Sequence, residues 1–179
     1  LYNSISLKEK VYISILWGIV YHSSILFWMI FNLGTTKFLG LISLILATLV
    51  LSVNIIFIGI LYHLISKNKI IKTYYCIPII WVSIEYLRTF LILGFPWVSI
   101  ANSQVHYNIL AQNVEVTGIY GISFWIALVN VLFYDLYRKF NNRKLIRIII
   151  VFIFPWISGY VLYHFQDEDD LEPINIISV

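Results

Sequence analysis

P-I-I-W-V-S-I-E-Y-L-R-T-F-L-I-L-G-F-P-W-V-S-I-A-N-S-Q, residues 78–104, is the stretch that decides how the rest of the chain is interpreted. It begins as an apolar helix, carries Glu85 and Arg88 within one turn, and then breaks at G-F-P-W, residues 94–97. Charged side chains at membrane depth are costly, so they face protein or a water-filled cavity. Because residues three positions apart share a helix face, we expect Glu85 and Arg88 to be each other's first partner. The ordinary interpretation of such a pair alone is a clamp between packed helices.

The composition is that of an integral membrane protein. Sixty per cent of the residues are apolar, only 12% are charged and the mean hydropathy is +0.86, whereas about a quarter of the residues in soluble domains are charged. The sequence predicts an all-α polytopic membrane protein with about five transmembrane helices and one long loop between the third and the fourth. The predicted spans are 11–33, 38–65, 74–93, 117–137 and 145–165, and the loop is 94–116.

The distribution of basic residues predicts the orientation. Lysine and arginine collect before the first span, between the second and third, and between the fourth and fifth. Basic loops tend to remain in the cytoplasm. The loop 94–116 and the acidic segment that follows residue 165 are therefore expected on the external, periplasmic face.

Several kinds of chemistry are not expected. The single cysteine, Cys76, excludes an internal disulfide and a cysteine-cluster metal site. It lies at the start of the third span beside apolar residues, where a thiol is inert. The four histidines lack ligand spacing, so we expect no metal, and nothing indicates a cofactor or a nucleic-acid partner. Asn54 and Gly118 are expected at ordinary helix–helix contacts.

An ordered set of motifs resembles the membrane part of bacterial apolipoprotein N-acyltransferases. The motifs occur in that family's order and at about its spacing, which makes the set more specific than any one motif. They are W-x-x-x-E-x-L-R (Trp81 to Arg88), G-F-P-W (94–97), Ser103-Gln104, L-A-Q (Leu110 to Gln112), G-I-Y-G-I-S-F-W (Gly118 to Trp125) and Asn130.

The resemblance implies a function that this chain would serve only in part. In that family, a nitrilase-like α/β domain outside the cytoplasm uses Glu, Lys and Cys to transfer a fatty acyl group. The group passes from a phospholipid, through a thioester, to the N-terminal diacylglyceryl-cysteine of a lipidated apolipoprotein. The implied location is the bacterial inner membrane. Residues 1–172 would be the transmembrane domain, and 173–179 the first strand of an otherwise absent nitrilase-like domain. The first residue, Leu1, suggests a piece of a longer chain.

On this reading the chain holds no catalytic residue and is expected to be inactive alone. Glu85 and Arg88 would brace the helices, or Arg88 would attract a lipid phosphate, while G-F-P-W would line the route of the acyl chain. The candidate structural or lipid-binding residues are Glu85, Arg88, Gly94, Phe95, Pro96, Trp97, Gln104 and Gln112. Two alternatives stay open: a non-catalytic membrane scaffold or remnant, and a small transporter with Glu85, Arg88 and Asn54 on one polar path.

Overall fold

The computed structural model describes residues 6–66, 73–90 and 98–165. These residues form five α-helices, and three of the connections between them contain a 3₁₀ turn. The α-helices are α1 (Leu7–Leu26), α2 (Lys37–Ser66), α3 (Ile77–Thr89), α4 (Asn108–Arg138) and α5 (Asn142–Phe165), and the 3₁₀ turns are Phe27–Phe31, Thr73–Cys76 and Ile100–Gln104. The G-F-P-W break, the acidic segment after residue 165 and the predicted strand at 173–179 lie outside the described residues.

Four of the described helices are long and apolar enough to cross a membrane. They are Leu7–Phe31, Lys37–Ser66, Asn108–Arg138 and Asn142–Phe165. A helical membrane protein is thus confirmed, and these helices contain or overlap the predicted spans 11–33, 38–65, 117–137 and 145–165. The described part of α3 has 13 residues, fewer than the roughly 20 that a crossing requires. A third span over 74–93 therefore stays a prediction.

The predicted loop 94–116 is wrong over its second part, because α4 already begins at Asn108. Its polar residue Asn113 is only 8% exposed. The Asn113 amide donates to the Pro155 carbonyl over 2.8 Å and accepts a hydrogen bond from the Ser158 hydroxyl. A polar segment can lie at depth when protein satisfies its hydrogen bonds, and here α5 does so.

Gly118 divides α4 by its backbone conformation, with φ 65° and ψ 175°. A Cβ at this position would meet nothing within 4 Å, so the expected close helix contact is wrong. Glycine is needed there because other residues rarely adopt positive φ. Asn113 and Trp125 of α4 donate to Pro155 and Val151 of α5. The α4 segment between the two donors is much longer than the α5 segment between the two acceptors. The helix axis of α4 therefore changes direction at Gly118.

The helices pack as two antiparallel hairpins, α1 with α2 and α4 with α5, and α3 contacts both α2 and α4. Close approach of α1 to α2 occurs at Gly18, where a Cβ would lie 3.0 Å from the Ser52 Cβ. A buried apolar cluster of Leu26, Leu51 and Val98 joins that hairpin to the segment after the G-F-P-W break. The position of α3 between the hairpins places its polar face inside the bundle.

A polar clasp fixes the start of α3 to the turn between α4 and α5. Asp135, 3% exposed, accepts hydrogen bonds from the hydroxyls of Tyr74 and Tyr75. Its carboxylate also lies 2.9 Å from Lys144 Nζ. Because this buried carboxylate has both a cation and hydroxyl donors, its desolvation is offset. The clasp therefore sets the height of α3 relative to the second hairpin.

Trp125 compensates for the proline inside α5. Pro155 has no N–H, so the carbonyl of Val151, four residues earlier, loses its helical donor. The Trp125 indole Nε1 donates to that carbonyl over 2.8 Å. An unsatisfied carbonyl is costly in a bilayer, and the side chain from α4 removes that cost.

We expect Trp125→Phe to lower the free energy of unfolding by about 1 kcal/mol, since an interhelical hydrogen bond in a membrane contributes about 0.6–1.7 kcal/mol. In the Pro155→Ala background this loss should disappear, because the alanine N–H can donate to the Val151 carbonyl. A double-mutant cycle in detergent unfolding measures the difference. Trp156→Phe is the matched control, since the buried Trp156 Nε1 has no hydrogen-bond partner in the described part of the chain. Equal losses in both backgrounds would contradict the compensation.

Candidate functional site

The carboxylate of Glu85 is held by three neutral donors. Its Oε1 accepts from the Trp81 indole Nε1 at 3.0 Å and from the Ile100 backbone N–H at 2.9 Å. Its Oε2 accepts from the Ser99 hydroxyl at 3.0 Å. Trp81 lies one turn earlier on α3, whereas Ser99 and Ile100 follow the G-F-P-W break. Glu85, 5% exposed, thus attaches the segment around Ser99 and Ile100 to α3.

The hydrogen bonds continue into α4 through a pair of serines. The Ser99 and Ser123 hydroxyl oxygens are 3.0 Å apart, and Ser123 is fully buried. We call Trp81, Glu85, Ser99, Ile100 and Ser123 the Glu85 cluster. It joins α3, the segment after the break and α4 in one network, and buried networks of this kind specify one arrangement when every member is satisfied.

Arg88 is not the hydrogen-bond partner that the sequence predicts for Glu85. Among the described residues, no ion pair or hydrogen bond joins the two side chains, and Glu85 takes its donors from the cluster instead. Arg88 is only 7% exposed, and its Nε is buried with no hydrogen-bond partner in that part of the chain. The two charges still act on each other electrostatically, so they balance without direct contact.

Glu85 and Arg88 face a common small cavity of about 20 Å³ between α1, α2 and α3. Its polar lining includes His22 on α1 and the half-buried Asn54 on α2. The described residues that line it are Tyr21, His22, Asn54, Ile55, Ile58, Trp81, Ile84, Glu85, Arg88 and Val98. The cavity therefore brings together polar groups from three helices at the centre of the bundle.

An aromatic group from α1 packs against the cluster. Trp17 and Tyr21 stack with ring centroids 4.8 Å apart. The Trp81 ring meets both edge-on, at 6.0 Å from Trp17 and 6.3 Å from Tyr21, the geometry that aromatic pairs favour. Because Trp81 also donates to Glu85, this packing orients a donor of the Glu85 cluster.

Of the other predicted candidates, Gln104 and Gln112 are not among the described residues that line the cavity. Gly94, Phe95, Pro96 and Trp97 lie outside the described residues. Gln104 donates to the Ser103 hydroxyl over 3.0 Å, and Gln112 is half-buried on α4. Cys76 lies just before α3 begins, at the opposite end of that helix from Arg88.

Sequence reasoning missed the partners of the predicted charges. Ser99 and Ser123 gave no signal because single serines occur throughout the chain. His22 looked like one of four scattered histidines. Trp17 and Tyr21 are four positions apart on α1, so they share a helix face. Helical spacing does not indicate which residue that face contacts.

Comparison with known proteins identifies the family. Residues 1–132 match the model of the apolipoprotein N-acyltransferase N-terminal domain. The chain is 31% identical over 130 residues to the apolipoprotein N-acyltransferase of Geobacter metallireducens, a match that covers 71% of the chain and 25% of that protein. It is also 31% identical over 126 residues to that of Coxiella burnetii, covering 69% of the chain and 26% of that protein. The matched region spans about a quarter of these relatives. The chain therefore belongs to the apolipoprotein N-acyltransferase family, of which it represents the N-terminal part.

Proposed function

We propose that this chain is the membrane portion of an enzyme that transfers a fatty acyl group from a phospholipid to the N-terminal diacylglyceryl-cysteine of lipoproteins. Its own contribution is structural: it forms the helical platform that both lipid-bearing substrates reach sideways from the bilayer. Covalent thioester transfer needs an activated thiolate and a base. Cys76 lies at the opposite end of α3 from Arg88, and in the proposed enzyme the nucleophile belongs to the nitrilase-like domain that the family resemblance implies.

The observation that supports this role is the attachment of the chain directly after the G-F-P-W break. Ser99 and Ile100 are held by Glu85, and Val98 is packed in the apolar cluster with only 3% exposure. The three residues that follow Trp97 are therefore fixed on the bundle. We propose that the adjoining G-F-P-W segment contributes to the wall along which an acyl chain approaches.

The proposed orientation has the clasp of Tyr74, Asp135 and Lys144 at the cytoplasmic face and the break at the external face. It rests on the basic residues around the α4–α5 turn. In a Cys76→Ser background, His106→Cys should react with a membrane-impermeant thiol reagent added to spheroplasts. Asn141→Cys, also exposed, should react only after the membrane is opened. The reverse pattern would invert the topology.

The decisive experiment for the reaction uses a bacterial strain depleted of its own apolipoprotein N-acyltransferase. The complete reading frame that contains this chain is expressed there, and the N-terminal lipopeptide of a lipoprotein is analysed by mass spectrometry. We expect the mass of one added acyl chain. A full-length relative is the positive control. Correctly inserted protein without acylation would indicate the non-catalytic scaffold instead.

The transporter alternative draws on the same cavity, since Glu85, Arg88 and Asn54 do line one space. A space of about 20 Å³ holds a single water molecule. It therefore forms no conducting path, and the family assignment favours the acyltransferase role.

A further inference from the structure

Arg88 has an unmet need for hydrogen bonds. A guanidinium carries five N–H donors and stays protonated in proteins. Arg88 is only 7% exposed, and its Nε has no hydrogen-bond partner among the described residues. A buried donor without an acceptor costs about 1–3 kcal/mol, and more when it is charged. An acceptor that reaches another N–H of the guanidinium would offset part of this cost.

The cavity beside Arg88 supplies room and acceptors. Its volume of about 20 Å³ exceeds the roughly 10–15 Å³ that one water needs. The His22 Nδ1 lies 2.8 Å from the Gly18 carbonyl, which only accepts, so Nδ1 carries a proton. In the neutral ring, Nε2 is then an acceptor. Asn54 adds an amide to the lining. The site thus offers the two or more polar partners that hold an internal water.

Charge and volume exclude other small ligands. Glu85, one turn from Arg88, already balances its charge at the same cavity, so an added anion would leave the site negative in a low-dielectric interior. A lipid phosphate is also several times larger than a water molecule, and a cavity of about 20 Å³ does not admit it.

We infer that the cavity binds one water molecule, which accepts a hydrogen bond from the Arg88 guanidinium and donates to Asn54 and His22. This water links α3 to α2 and α1 where no direct hydrogen bond does so among the described residues. It also gives the Arg88 guanidinium a hydrogen-bond acceptor. The inference stands whether or not the chain serves acyl transfer.

A double-mutant cycle on the chain in lipid nanodiscs tests the link. Asn54→Leu, which fills the cavity and removes its amide, should lower Tm by about 2–4 °C, the shift of roughly 1 kcal/mol in a chain of this size. In the Arg88→Met background the same change should leave Tm unaltered, because no charge needs the water. Asn130→Leu is the matched control, since Asn130 is exposed and donates to its own helix at Ile126. Its effect should be equal in both backgrounds.

Equal effects of Asn54→Leu in both backgrounds would overturn the inference. Should Arg88→Met fail to fold, a crystal structure of the unaltered chain grown in a lipid mesophase decides the question at a resolution that shows ordered water. A single small peak about 3 Å from the guanidinium supports the site. Larger density continuous with a lipid headgroup, or no peak where other waters are visible, refutes it.

Discussion

Glu85→Leu is expected to lower the free energy of unfolding by about 3–5 kcal/mol, the loss typical of breaking a buried charge arrangement on one side. Leucine leaves the donors of Trp81, Ser99 and Ile100 without an acceptor in the bilayer interior. It also leaves Arg88 as an unbalanced buried charge. Unfolding of the purified chain in mixed detergent micelles, followed by tryptophan fluorescence, measures the change.

Two further variants separate hydrogen bonding from charge. Glu85→Gln keeps an acceptor for Trp81 and Ile100, so it should lose less than Glu85→Leu. Combining Glu85→Leu with Arg88→Met should recover part of the lost free energy of unfolding, because the unbalanced charge of Arg88 is removed. If leucine and glutamine were equally tolerated, with folded yield unchanged, the Glu85 cluster would have no structural role.

Gly159→Ala should be the most damaging change of one methyl group in the second hairpin. A Cβ at Gly159 would overlap the backbone carbonyl oxygen of Ile109 and lie 2.8 Å from the Asn113 Nδ2. Backbone cannot move aside as a flexible side chain can, so α4 and α5 must separate. Overpacking alone costs about 1–3 kcal/mol, and the separation also weakens the hydrogen bonds that join Asn113 to Pro155 and Ser158.

Gly34→Ala is the matched control for this change. Gly34 lies between α1 and α2, where a Cβ would come only within 3.5 Å of the Asn32 Oδ1, an ordinary contact. We expect its unfolding midpoint to equal that of the unaltered chain, while Gly159→Ala unfolds at clearly lower denaturant. Coinciding midpoints for the two variants would show that the α4–α5 contact is looser than the structure indicates.

Part of the site was predictable because its signal is local. Helical spacing placed Glu85 and Arg88 on one face of a helix, and the structure does bury both at a common cavity. The direct pairing of the two charges was wrong. Helical spacing gives proximity, but competing donors decide which bonds form, and Trp81, Ser99 and Ile100 occupy the carboxylate.

The start of α4 shows a second limit of sequence reasoning. The sequence predicts residues 108–116 as loop because their polar side chains would be costly against lipid. Asn113 is instead satisfied by α5, more than forty residues away, and no local pattern announces such a partner. Gly118 similarly suggests close packing, whereas its positive φ shows that it turns the chain.

The sequence by itself determined the class of protein and the approximate position of the long apolar helices, because hydropathy over twenty residues reflects the thickness of the bilayer. The ordered motifs determined the family. Only the tertiary structure decided which groups satisfy the buried charges. Partners such as Ser123 and His22 come from other helices, and their positions depend on how α1, α2 and α4 pack around α3. A buried hydrogen bond is set by distances of a few tenths of an ångström, which exist only once the helices have come together.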